Sequence, residues 1–190
     1  MGLLRRLLGG EKNVAKPYVD AGVALIYKLT ASLNLDSWND RLPSYTPPEV
    51  EAINTRMDNF QKMANDVAGG EARFHPEIVS DLQRMLVSEA LIELAGDPWE
   101  FSDEIPPDWR KCVGTYLKAW AAHFDPMALL KLGDLLVKAG YRSEAKETFR
   151  VVLLFPTYAD TYFSGQQKKH EPDLVDSIVS TAKQSLQDLR

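Results

Sequence analysis

A chain of 190 residues with 45% apolar and 26% charged side chains is the size of one domain and apolar enough to bury a core. Its net charge of −5 argues against a general nucleic-acid binder, which needs a basic face to neutralise phosphates. The single cysteine, Cys112, excludes an internal disulfide and a cysteine-based zinc site, and it fits a reducing compartment.

Residues 1–16 form a basic arm, with Arg5, Arg6, Lys12 and Lys16 against Glu11. Leu3, Leu4, Leu7 and Leu8 share one helical face, and Gly9-Gly10 ends the turn. Such an arm suits weak contact between residues 1–8 and an anionic membrane surface. Its leucines equally suit docking on the body or on a partner. Gly2 sits where a myristoyl group is attached, but Arg6 replaces the Ser or Thr of that motif. Arg5-Arg6 also splits the leucines, so no signal-peptide core forms. The longest apolar run, 21–27, falls far short of the roughly 20 residues a spanning helix needs. The expectation is a cytoplasmic protein, with a place at the inner face of a membrane left open by the arm.

Residues 17–190 read as one all-helical domain. Pro17 suits a first helical position, and Val19, Gly22, Ile26, Leu29 and Leu33 continue a stripe to about residue 35. A polar, proline-bearing loop follows. Thr46 and Glu49 then have capping-box spacing at the start of a second helix. Its stripe is Val50, Ile53, Met57, Phe60, Ala64 and Val67, and the same spacing would serve a homodimer seam. Gly69-Gly70 stops it, which places a sub-boundary near 69–75.

A third helix, 76–95, is apolar around much of its circumference and so is expected to be central and well buried. Gly96-Asp97-Pro98 ends it. Trp99 and Phe101 follow, interleaved with Glu100, Asp103 and Glu104. This loop suits a basic partner, but its aromatics more simply tuck into the core. The spacing of an EF-hand is absent.

The fourth helix, 107–123, lines up Trp109, Val113, Tyr116, Leu117 and Trp120, with Phe124 just beyond it. His123 at its end is favoured there when charged. Asp125 caps the fifth helix, with Pro126 at its first position. The fifth and sixth helices meet at Gly140-Tyr141. A polar linker, 166–170, leads to a last helix, 172–189, carrying Leu174, Ile178, Ala182 and Leu186. No segment alternates with period two, so no sheet is expected.

Within 126–156 stand Leu132-Gly133, then Ala145, then Phe149 and a closing Pro156. This pattern resembles a tetratricopeptide repeat, of which about one unit of roughly 34 residues is legible. The resemblance implies a helical hairpin held close by small residues, and a groove that binds a peptide or partner helix. A partial echo (Gly165, Ile178, Ala182) lacks the Leu-Gly pair and the Phe, so the last helix reads as a cap. Family members that clamp a C-terminal carboxylate use Lys and Asn on the groove face. Here the comparable helix offers Lys131 and Asp134, and Asp134 would repel a carboxylate.

The expected fold is all-α: about seven helices as antiparallel hairpins, with 107–190 curling into a short repeat-like superhelix. The expected role is a non-catalytic interaction protein, such as an adapter, assembly factor or small chaperone. Partner contact is assigned to Lys131, Asp134, Lys138, Tyr141 and Tyr162, and Trp109, Trp120 and Phe149 go to the core. No cofactor or metal is expected, because His75, His123 and His170 are scattered and form no helical ligand pair. Cys112 reads as a small buried hydrophobe, and nothing local pairs it with His75 or His123 for catalysis. Two other roles are compatible with the chain. One is a helical enzyme or ligand-binding bundle with a buried polar pocket, the other a peripheral membrane protein using the arm.

Overall fold

The computed structural model describes residues 17–35, 44–74, 76–98, 105–165 and 172–190. The basic arm, the stretch 99–104 with Trp99 and Phe101, His75 and the linker 166–170 lie outside the described residues. Among the described residues the chain is all-helical, without a strand. The helices are α1 (Pro17–Leu33), α2 (Pro47–Ala68), α3 (Pro76–Ala95) and α4 (Trp109–His123). They continue as α5 (Pro126–Lys138), α6 (Arg142–Val152), α7 (Ala159–Gly165) and α8 (Pro172–Asp188). A 3-10 turn, Phe155–Thr157, precedes α7.

The caps fall where side-chain chemistry puts them. Glu49 reaches back to accept from the Thr46 N–H at 2.7 Å, the reciprocal half of the capping box. Asp125 accepts from the Met127 N–H at 2.9 Å and starts α5. Helix α7 has no counterpart in the sequence pattern. At seven residues it is too short to repeat an apolar stripe. It forms because Pro156 diverts the chain into the 3-10 turn and Ala159 is buried.

Packing runs mainly between sequence neighbours: α2 on α3, α3 along α4, α4 on α5 and α5 on α6. Helices α8 and α1 are the exceptions, α8 skipping α7 to pack on α6 and α1 lying back across α6 and the 3-10 turn. Two glycines set the closest approaches. A Cβ on Gly22 of α1 would stand 2.1 Å from Trp120 of α4, and one on Gly133 of α5 would stand 2.4 Å from Phe149 of α6. Trp120, Tyr18, Phe149 and Phe155 are among the largest fully buried side chains. Tyr18 is fixed at the C-terminal end of α4, donating to the Phe124 carbonyl at 3.1 Å and accepting from Trp120 Nε1 at 2.9 Å.

Three expectations need correction. Trp109 is half-buried at the edge of the core, its ring packed at a tilt against Tyr141. His123 is buried, and desolvation lowers its pKa to about 4, so it is neutral near pH 7 rather than a cation serving the helix dipole. Helix α3 is covered mainly in its C-terminal half, at Leu86, Ala90, Leu91 and Ala95, while Leu82 and Met85 are half-buried.

Candidate functional site

Lys131, Asp134 and Lys138 stand at i, i+3 and i+7 on α5, a spacing that puts them on one helical face, and each is half-buried. Lys131 is already engaged: its Nζ donates to Asp97 Oδ2 at 2.7 Å, tying α5 to the segment that leaves α3. Asp97 and Asp134 both add negative potential at the Tyr116 phenol, whose pKa is raised first by burial, then by Cys112 and after it by these two carboxylates. Tyr141, in the turn after α5, packs its ring on Trp109 at 5.1 Å between centroids.

Tyr162 does not join this group. Its ring lies 5.0 Å from His123 and 5.4 Å from Phe155. Trp109 and His123 mark opposite ends of α4, so Tyr141 and Tyr162 are separated by roughly 20 Å of helix axis. Three of the five predicted contact residues therefore share one face of α5, Tyr141 lies in the turn that follows against Trp109, and Tyr162 belongs to an aromatic cluster at the other end of α4.

A cluster that sequence reasoning missed joins α2 to α4. Glu49 Oε2 accepts from Lys118 Nζ at 2.7 Å, and Glu49 Oε1 accepts from the Thr115 hydroxyl at 2.9 Å. Burial alone would raise the Glu49 pKa. The Lys118 ammonium, the Thr46 N–H and the Thr115 hydroxyl together outweigh it, and the carboxyl is held below its ordinary value. Lys118 and Glu49 are only 2% and 3% exposed, so the pair has no open path for a substrate and acts as a tether. The sequence signal was a lysine inside the apolar run of α4, between Leu117 and Ala119.

Burial also raises the Cys112 thiol pKa, helped by Asp108, so the thiol is not activated as a nucleophile. Cys112 and His123 lie on one helix about 16 Å apart along its axis, which rules out their pairing. Among the described residues no cluster of three or more His, Cys, Asp or Glu side chains is placed to hold a metal ion. None of the helices there is long and apolar enough to cross a membrane.

Two open clefts flank the N-terminal half of α2. One, of about 460 Å³, lies along Tyr45, Val50, Asn54 and Asp58. The other, of about 400 Å³, lies between α2 and the end of α3, along Ala52, Arg56, Glu93 and Leu94. Glu51 and Thr55 belong to both. Further along α2 the stripe residues Met57, Phe60 and Ala64 are half-buried, while Val67 at its end is 85% exposed and Met63, beside the stripe, is 59% exposed. Of that stripe only Ile53 is buried, with Glu49 beside it.

No protein-family model, curated protein or solved structure matches the chain.

Proposed function

We propose that this chain is a non-catalytic protein-binding module, an adapter, assembly factor or small chaperone of the cytoplasm. The observation that carries the reading is the packing order. Helices α2 to α6 each rest on their sequence neighbours, the arrangement by which helical-repeat proteins build extended binding faces. The α5–α6 hairpin, with Gly133 pressed on Phe149, is the unit that resembles a tetratricopeptide repeat. On this reading the partner, a protein or peptide, lies along α5 beside Asp134 and Lys138. Tyr141 helps shape that face through its contact with Trp109.

The test is affinity capture of the tagged full chain from its native cell extract, compared with Lys138→Glu. That variant leaves the Lys131–Asp97 pair and the Tyr141–Trp109 contact in place. The expected result is one stoichiometric protein, lost in the variant while helical circular dichroism is unchanged. Capture that is indifferent to Lys138→Glu removes the α5 face from the proposal. No stoichiometric protein at all removes the module reading.

A further inference from the structure

We infer that the strip formed by the N-terminal half of α2 and the last turn of α3 docks a short basic segment of a partner protein, with apolar side chains set between its lysines or arginines. The inference rests on the reading of the chain as a protein-binding module, but it uses a face separate from α5.

The strip combines apolar anchors with uncompensated negative charge. Val50 is 43% exposed and Leu94 is 42% exposed, one in each cleft. Glu51 and Asp58 stand between and beside them, with no ion-pair partner among the described residues. The cation lining the strip is Arg56, and it is already committed. Its Nε and NH2 groups lie 3.7 and 3.2 Å from Glu89 and Glu93 of α3. Two carboxylates on one guanidinium leave that corner acidic as well.

Charge also decides between occupants. A second copy of the strip would set Glu51 and Asp58 against like charges, which works against a symmetric pairing. A segment carrying Lys or Arg instead gains attraction as it approaches, and its apolar residues cover Val50 and Leu94. Both clefts are open to solvent, the first along one face of α2 beside Tyr45 and the second between α2 and the end of α3, so an extended segment has access along the strip.

The experiment titrates the isotope-labelled full chain with a synthetic Leu-Lys-Lys-Leu repeat peptide, and in parallel with its Leu-Glu-Glu-Leu counterpart, while amide resonances are followed. The basic peptide is expected to shift residues 50–58 and 93–94, and the acidic one is expected to shift neither. The triple variant Glu51→Gln, Asp58→Asn, Glu93→Gln should weaken the basic peptide by about tenfold or more, with affinity falling as salt rises. Absence of shifts in the strip overturns the inference, as does equal binding by the triple variant. A sedimenting dimer broken by Val50→Glu also overturns it and assigns the strip to a second copy. Shifts confined to α5 overturn it too, while leaving the module reading standing. That reading has its own failure in the capture experiment.

Discussion

Helices α5 and α2 are both amphipathic, yet one is built into the molecule and the other is fastened to its side. In α5 eight of the 13 residues are buried. In α2 two of 22 are buried, and one of those two is the charged Glu49. A long apolar stripe is thus no guarantee of burial. Helix α5 has α4 on one side and α6 on the other, whereas among the described residues α2 has mainly α3 along its length and an ionic tether to α4 at its start. The body is held by apolar packing spread over many side chains, whereas α2 adds a buried ionic tether to a narrower apolar contact made by Ile53 and Met57.

The comparison breaks hardest at the body's aromatics. Phe149→Ala, which empties the space against Gly133, is expected to cost about 3–5 kcal/mol in denaturant unfolding. A loss near 1 kcal/mol would mean that the hairpin is as loosely held as α2. The tether comes next. Lys118→Met strands a buried carboxylate and should cost on the order of 3 kcal/mol. Adding Glu49→Gln to it should recover much of that loss, and a double-mutant cycle measures the recovery. The Glu49 pKa is depressed in the folded state, so its contribution is present above the ordinary carboxylate pKa. It is lost as pH falls through the lower folded value, and both variants should lack that acid-side loss.

A pH series sharpens the picture at the far end of α4. His123 is lowered from 6.5 to about 4 by burial, so acidification through that window should cost stability, as the unfolded chain takes up the proton first. Asp125 is raised from 3.8 to about 6, again mainly by burial, so acidification from 6 to 3.8 should restore stability. The two slopes oppose each other. Asp125→Asn, which keeps a capping side chain, should expose the His123 loss, and His123→Gln should expose the Asp125 gain. Each is on the order of 3 kcal/mol across its window, read from urea midpoints at fixed m. The smallest effect belongs to the open end of α2. Val67→Ala is expected within about 0.5 kcal/mol of wild type, and amides of 60–68 should exchange faster than those of α5. A cost above 1 kcal/mol there would show that the stripe is covered in solution.

The sequence made the helices legible because their signals are local. Thr46 with Glu49, Asp125 with Pro126, and Gly69-Gly70 each act within a turn of the boundary they mark. What lay beyond reach was long-range. Glu49 was readable as half of a capping box, but its bonds to Thr115 and Lys118 span 66 and 69 residues. The stripe of α2 was readable, but periodicity does not say whether a neighbour covers it. Tyr162 follows the repeat in sequence and is counted with the α5 residues for partner contact. The turn at Pro156 carries it to the opposite end of α4. His123 sits where a cation would be favoured, and only its burial, with the Tyr162 ring among its neighbours, shows why it stays neutral.

The return of α1 across the body has a consequence for how the chain is made. Tyr18 leaves the ribosome 106 residues before Phe124, the residue whose carbonyl it binds, and Gly22 waits almost as long for Trp120. At about 5–20 residues per second, α1 spends roughly 5–20 s in the cell with its apolar face unclaimed. The hairpins α3–α4 and α5–α6 find their partners as soon as each second helix is complete. Helix α1 is therefore the first of the described helices to be synthesised and among the last to be sheltered, which makes it the segment of the nascent protein most in need of a holding chaperone.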